Sequence, residues 1–234
     1  MPSRSLLILA GGRGTRLQNL HPDLPKPMVP VAGQPFLEWM LRFWEQQGAG
    51  DVVVSTGYLA EVIEDFLKAR GRGVTVKERE ALGTGGAVRF AVEQQPVSDP
   101  FVVTNGDSLV AADLSGMWDL PPGVEAAIVA LEVDDASRFG TLAIDEAGFL
   151  QRFEEKRPGA GWINAGIYCF RRHLIDAFPP GVSSMEMDVF PSLLAAGVPI
   201  RVIRVSGRFL DIGTPSSLVL GDAFVQELKG VLPA

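Results

Sequence analysis

The sequence predicts an α/β fold, with a doubly wound, mostly parallel sheet in the first half and a β-rich portion in the second. In the first half, short apolar runs alternate with stretches of helical periodicity, and the crossovers are long enough for parallel pairing. After about residue 120, strands follow one another through hairpin turns. The 234 residues are 47% hydrophobic, enough for a sizeable core. We therefore expect one domain over 1–234, with its halves meeting near residue 120.

Four strands and three helices are predicted in the first half. Residues 6–10 form a continuous apolar run that ends at Gly11 and Gly12, which is typical of a buried parallel strand. Phe36, Met40 and Phe43 recur at helical spacing, which indicates a helix over 36–47. The other predicted strands are 51–55, 74–77 and 101–104, and the other predicted helices are 60–69 and 86–95. Ligands bind at the carboxyl ends of strands in such Rossmann-like sheets.

The second half is predicted to be mostly strands, with two helices. The strands are 126–133, 141–144, 149–153, 162–170 and 200–205. One helix spans 185–196 around Pro191. Thr214 and Pro215 are typical of the start of a last helix, which runs to about residue 228.

Composition excludes several classes of function. A net charge of −7 and a pI of about 4.9 argue against a nucleic-acid partner. A single cysteine excludes an internal disulfide, and only two histidines make a Cys/His zinc site improbable. No apolar run approaches the ~20 residues of a membrane span, and the N-terminus lacks a secretory pattern. We expect a cytoplasmic protein without a membrane partner.

A glycine-rich loop follows the first predicted strand. Its three glycines, Gly11, Gly12 and Gly14, allow backbone N–H groups to point into one concavity, and Arg13 and Arg16 add positive charge beside it. The loop lacks the Gly-Lys-Ser/Thr end of a Walker A motif. It also enters a proline-dense stretch, whereas a dinucleotide-binding loop enters a helix. Phosphate binding is favoured over the alternative, a flexible surface turn.

The next stretch, 22–30, is rich in proline and contains one lysine. Pro25 and Pro27 on either side of Lys26 fix the backbone dihedrals and exclude a helix. A stiff segment that returns a lysine to a phosphate loop suits catalysis, because a preorganised cation stabilises charge that develops in a transition state. The alternative is a rigid surface turn with a solvated lysine.

The segments Gly-Gly-X-Gly-Thr-Arg-Leu and Pro-Lys-Pro-Met, about ten residues apart, resemble the signature of the sugar-phosphate nucleotidyltransferases, or nucleotide-sugar pyrophosphorylases. Further similarities extend from Leu9 to Leu218. The resemblance implies a glycosyltransferase-A-like fold with a nucleotide-binding first half and a sugar-phosphate-binding second half. It also implies a reaction that joins a nucleoside triphosphate and a sugar 1-phosphate, the two expected partners, and releases pyrophosphate.

The resemblance also implies catalytic, metal-binding and nucleotide-binding roles for individual residues. Lys26, Arg16 and Asp107 would be catalytic. Asp107 in Asn-Gly-Asp and Asp211 in Phe-Leu-Asp-Ile-Gly-Thr would hold Mg²⁺, although Phe209 replaces the family's common tryptophan. The nucleotide would contact Leu9, Ala10, Gly11, Gly12, Arg13, Gly14, Thr15, Gly83, Thr84, Asn105 and Gly106.

The sugar-phosphate side is placed by shorter motifs in the second half. Phe-Gly-Thr, Glu-Glu-Lys and Asn-Ala-Gly resemble segments that contact the sugar in this family, and Glu186 occupies the place of a sugar-contacting acid. The residues implied are Gly140, Glu155, Lys156, Asn164, Gly166 and Glu186.

The resemblance also gives a specific expectation for the two substrates. Size, the Gly-Thr-Gly-Gly-Ala segment and the Met-Glu-Met-Asp-Val-Phe-Pro segment are most similar to D-glycero-α-D-manno-heptose 1-phosphate guanylyltransferases, which use GTP. The alternatives are a uridylyltransferase for N-acetylmuramate or glucose 1-phosphate, a mannose-1-phosphate guanylyltransferase, and a non-catalytic regulatory subunit. Because Lys26, Arg16 and both aspartates are present, the enzyme is favoured over the regulatory subunit. The oligomeric state is left open.

Overall fold

The computed structural model describes residues 3–12, 14, 17, 20–137, 140–154 and 158–231. Within them, nine strands form one mixed sheet and four form two small two-stranded sheets. In chain order the strands are β1 (Ser5–Ala10), β2 (Pro30–Val31), β3 (Gln34–Pro35), β4 (Asp51–Thr56), β5 (Val74–Lys77), β6 (Phe101–Asn105), β7 (Ser108–Val110), β8 (Ala126–Val133), β9 (Thr141–Ile144), β10 (Leu150–Glu154), β11 (Gly161–Phe170), β12 (Ile200–Val205) and β13 (Phe209–Asp211).

The large sheet joins strands from both halves of the chain. Strand β1 pairs in parallel with β4 and β6, and β4 pairs in parallel with β5. Strand β11 runs antiparallel between β6 and β8, and β12 pairs in parallel with β8. The β9–β10 hairpin joins the sheet where β9 pairs with the start of β11, and β10 is an edge strand. The predicted α/β class is confirmed, with β11 as the antiparallel junction.

Helices cover both faces of the sheet. They are α1 (Phe36–Gln46), α2 (Ala60–Arg70), α3 (Gly83–Gln94), α4 (Phe190–Ala195), α5 (Pro215–Leu218) and α6 (Gly221–Val231). Helices α1, α2 and α6 pack on one face, where Phe36, Met40 and Phe43 of α1 are fully buried. Helices α3 and α4 pack on the other face. Each face thus has its own apolar core, as expected for a doubly wound sheet.

Three helix predictions need correction. Helix α3 begins at Gly83, three residues before the predicted start. The predicted helix 185–196 is a π-helix (Met185–Val189) that continues directly into α4, whose second residue is Pro191. The last predicted helix is divided into α5 and α6. The Thr214 side chain accepts a hydrogen bond from the Ser217 N–H at 3.2 Å, so the predicted cap is confirmed.

No helix within the described ranges is both long and apolar enough to cross a membrane.

Candidate active site

A cavity of about 330 Å³ opens at the carboxyl ends of β1, β5 and β6. The turn after β6 lies directly against the end of β1, because the Gly106 N–H donates to the Leu9 carbonyl at 2.9 Å. The size suits a small-molecule ligand. Most residues predicted to bind nucleotide line this cavity: Leu9, Ala10, Gly11, Gly12, Gly14, Gly83, Thr84, Asn105 and Gly106. Arg13, Thr15 and Arg16 lie outside the described residues.

Lys26 lies in the same cavity, on a short 3₁₀ helix, Lys26–Met28, that starts directly after Pro25. Its ammonium group is 2.5 Å from Asp107 Oδ2 and 3.7 Å from Asp211 Oδ1. The lysine side chain is only 16% exposed, so solvent screens these contacts less than at the surface. The flanking prolines thus allow one short 3₁₀ turn where no helix was predicted, and the segment places Lys26 in the cavity lined by the glycine-rich loop.

The two aspartates are brought together by a small antiparallel sheet. Strand β13 pairs with β7 so that Asp211 lies opposite Ser108, and the Ile212 N–H donates to the Asp107 carbonyl at 2.9 Å. Asp107 Oδ1 accepts from the Ser108 hydroxyl at 2.9 Å, and Asp211 Oδ1 accepts from the Gly213 N–H at 2.6 Å. Both carboxylates therefore approach one cationic position, now occupied by the Lys26 ammonium.

A metal at this position would need further oxygen ligands. Among the described residues, no group of three or more His, Cys, Asp and Glu side chains is arranged to hold a metal ion. Two carboxylates that are each about one third exposed suit a hard cation that completes its shell with phosphate oxygens and water. The donor set thus fits Mg²⁺ better than it fits a softer, fully protein-ligated metal.

On the second-half side, a hydrogen-bonded network joins Asn164 to Glu186. The Asn164 side-chain NH₂ donates to the Tyr168 hydroxyl at 2.8 Å and to Glu186 Oε1 at 3.3 Å. The Tyr168 hydroxyl donates to the same carboxylate oxygen at 3.2 Å. Burial, and then the nearby Glu186 carboxylate, raise the pKa of Tyr168 well above its usual value. The phenol therefore stays protonated and remains a donor.

The remaining predicted sugar-side residues are placed differently. Gly166 adopts φ +71° at an irregularity in β11, and a side chain there would collide with Asn105. Close packing between β11 and β6 therefore explains why residue 166 is a glycine, and no contact with a ligand is needed to account for it. Gly140 lies directly before β9. Glu155 and Lys156 lie outside the described residues, so their predicted contacts remain predictions.

Two residues near these groups were missed by the sequence reasoning. Glu78 follows β5, lines the cavity and is 8% exposed. Its carboxylate accepts from the Ser55 hydroxyl at 2.9 Å and from the Leu82 N–H at 3.1 Å. Its position at the carboxyl end of a predicted parallel strand was the available signal. Tyr168 gave no comparable signal, because it lies within an apolar strand.

Comparison with known proteins agrees with this geometry. A family model described as "Nucleotidyl transferase" matches residues 5–227. A mannose-1-phosphate guanylyltransferase of Mycobacterium tuberculosis is 36% identical over 97% of this chain and 66% of its own length. A D-glycero-alpha-D-manno-heptose 1-phosphate guanylyltransferase of Campylobacter jejuni is 34% identical over 89% of this chain and 94% of its own. A UTP--glucose-1-phosphate uridylyltransferase of Synechocystis is 30% identical over 97% of this chain and 63% of its own.

Solved structures give the same result. HddC from Yersinia pseudotuberculosis is 32% identical, superimposes with a TM-score of 0.83, and the match covers 93% of this chain and 97% of HddC. The same protein complexed with GMP-PN gives a TM-score of 0.82. The chain spans just under two thirds of the Mycobacterium and Synechocystis proteins but nearly all of the Campylobacter protein and of HddC. The chain therefore belongs to the nucleotidyl transferase family and, with these relatives, to its sugar-1-phosphate nucleotidyltransferases.

Proposed function

We propose that the protein joins GTP to a sugar 1-phosphate and releases pyrophosphate, with D-glycero-α-D-manno-heptose 1-phosphate as the preferred sugar. The family binds a nucleoside triphosphate and a sugar phosphate. The observation that best supports the proposal is the convergence of Lys26, Asp107 and Asp211 at the cavity lined by the glycine loop. A cation beside two carboxylates provides the opposite charges that a triphosphate and its metal ion require.

Each group of the site has a part in this chemistry. An oxygen of the sugar phosphate forms a bond to the α-phosphorus, and the bond from that phosphorus to the bridging oxygen of pyrophosphate breaks. The nucleophile is already an anion, so no general base is required. Backbone N–H groups of the glycine loop hold the triphosphate, and Lys26 stabilises the charge on the transferred phosphate.

The family generally uses a divalent metal ion, and we propose Mg²⁺ bound by Asp107 and Asp211. When bound, the ion supplies charge that neutralises the phosphate oxygens. The aspartates would hold it between β7 and β13, where Lys26 now pairs with both. Lys26 would then be freed to contact phosphate.

We propose that Glu78 selects guanine over other bases. Guanine offers N–H donors at N1 and N2, and a buried carboxylate can accept hydrogen bonds from both. Uracil presents only one such donor, between two carbonyl acceptors that a carboxylate disfavours. Glu78 lies in the cavity close to Leu82, next to Gly83 and Thr84, which the family resemblance assigns to the nucleotide. Two relatives are guanylyltransferases, and HddC was solved with GMP-PN.

Glu78→Gln is expected to lower kcat/KM for GTP by about 10-fold or more, since a hydrogen bond to a charged group contributes about 1.5–3 kcal/mol. The ratio of kcat/KM for GTP to that for UTP should fall. Steady-state pyrophosphate release with each triphosphate measures it. Glu80→Gln, at an exposed glutamate two residues away, is the matched control and should leave the ratio unchanged. An unchanged ratio in Glu78→Gln would exclude Glu78 as the guanine acceptor.

The sugar is tested by pyrophosphate release with heptose, mannose, glucose and N-acetylmuramate 1-phosphates, each combined with GTP, UTP and dTTP. We expect the highest kcat/KM for GTP with the manno-configured heptose. A site that bonds the extra hydroxyl leaves a buried group unpaired when mannose binds, which disfavours mannose. A higher kcat/KM for UTP or dTTP with a hexose 1-phosphate would refute this pair, while the class of reaction would stand.

A further inference from the structure

The segment that leads to Glu186 is hydrogen-bonded to the start of α3. The Ser183 carbonyl accepts from the N–H groups of Gly85 and Gly86 at 2.8 and 3.3 Å. The Ser183 N–H donates to the Leu82 carbonyl at 2.9 Å. The backbone of this segment thus satisfies N–H groups that the first turn of α3 leaves without helical partners.

Thr84 adds a side-chain link to this segment. Its hydroxyl oxygen accepts from the Met185 N–H at 2.8 Å, and Met185 is fully buried. Thr84 also lines the cavity, so one residue borders the proposed nucleotide site and holds the second-half segment. Without this hydroxyl, a buried N–H would lose its partner, which is costly.

Gly83 is a glycine because of the same contact. It has φ +70°, and a Cβ there would lie 2.4 Å from the Ser183 carbonyl oxygen. The close approach of the two backbones therefore accounts for this residue without a ligand. The turn at Gly83–Thr84 is thus built to hold the segment as well as to border the cavity.

The next residue after Met185 is the proposed sugar-contacting acid. Ser184 donates from its hydroxyl to Glu186 Oε2 at 3.0 Å, while Asn164 and Tyr168 hold Oε1. The carboxylate is therefore fixed on one side by β11 and on the other by the segment that Thr84 anchors. A shift at Thr84 would displace only the second of these supports.

We propose that Thr84 is a positioning residue for sugar recognition: through Met185 it couples the nucleotide-binding turn to Glu186. This rests on the proposed function, which assigns Glu186 to the sugar. A nucleotide that orders the Gly83–Thr84 turn would then also order the segment 183–186. The Thr84 hydroxyl thus helps to position the proposed sugar-contacting Glu186, although Thr84 itself borders the nucleotide cavity.

The kinetic test compares Thr84→Val, which keeps the shape and removes the hydroxyl, with Thr84→Ser, which keeps the hydroxyl. Thr84→Val should raise KM for the sugar 1-phosphate about 5-fold, in the range expected for one lost hydrogen bond, and should raise it by more than KM for GTP. Thr84→Ser should restore the wild-type KM. Equal increases in both KM values, an increase for GTP alone, or no increase in Thr84→Val would overturn the proposal.

A second measurement does not depend on turnover. Hydrogen exchange of a peptide spanning 183–188 should be faster in Thr84→Val than in the wild type or Thr84→Ser. Added GTP should slow exchange of this peptide in the wild type and in Thr84→Ser, but not in Thr84→Val. Identical exchange in all three proteins, with and without GTP, would overturn the coupling. If the wild type releases no pyrophosphate with any pair of substrates, the proposed function fails, while this exchange result still decides whether Thr84 couples the two segments.

Discussion

Replacing Lys26 with alanine is expected to lower kcat by about 10²–10³-fold, the usual cost of removing one preorganised transition-state contact. The ammonium lies in the cavity lined by the glycine loop and pairs with both aspartates, so a metal ion bound by those aspartates would leave its charge free to contact the transferred phosphate. KM for the triphosphate should change less, because the backbone N–H groups of the loop remain. Steady-state kinetics with saturating sugar 1-phosphate measure both constants.

Lys68→Ala is the matched control for this variant. Lys68 is exposed on α2 and pairs with Glu64 one helical turn away, so its loss should leave kcat unchanged. A Lys26→Ala enzyme with normal kcat and only a raised KM would show that the lysine binds ground-state substrate and does not act in the transition state.

Asp107→Asn and Asp211→Asn are each expected to lower kcat by about 10²-fold or more, because a bound metal contributes several kcal/mol of charge stabilisation. The amide keeps the size of the side chain but removes the negative charge that a hard cation prefers. Higher Mg²⁺ concentrations should be needed for half-maximal activity. Titration of activity with Mg²⁺ measures this requirement, and thermal unfolding shows whether each variant is folded.

Asp113→Asn provides the control for these two variants. Asp113 is an exposed aspartate that accepts a hydrogen bond from the Ser115 N–H in a loop outside the cavity. The Mg²⁺ concentration that the Asp113→Asn enzyme needs for half-maximal activity should therefore equal that of the wild type. Full activity of the wild type in excess EDTA would contradict a metal-dependent reaction altogether.

Local sequence patterns predicted the main strands and helices of the first half. A short apolar run that ends at glycine identifies β1, and Phe36, Met40 and Phe43 identify α1, because each pattern depends only on residues close in the chain. The β7–β13 pair could not be predicted in this way. Strands of three residues are too short for a periodicity, and β13 finds its partner about 100 residues earlier.

The candidate site was predictable where a motif marks it. Lys26 stood out between two prolines, and the resemblance placed both aspartates. Glu78 was missed because it lies in the charged run Lys-Glu-Arg-Glu, which reads as a solvated turn. Its burial arises from Ser55 on β4 and the turn before α3, which are distant in sequence. Only the folded chain brings these groups together.

The antiparallel strand β11 has a consequence for how the cleft adapts to its ligands. Its backbone is bonded to β6, which leads to Asp107, and to β8 of the second half, while its own side chains include Asn164 and Tyr168. Rotating the two halves apart would break these ladders, so the distance between Asn164 and the aspartates proposed to bind the metal is set by main-chain hydrogen bonding. A larger sugar must therefore be accommodated by the segments that connect the strands, such as the π-helical segment containing Glu186, and substitutions that alter sugar choice should concentrate in those segments.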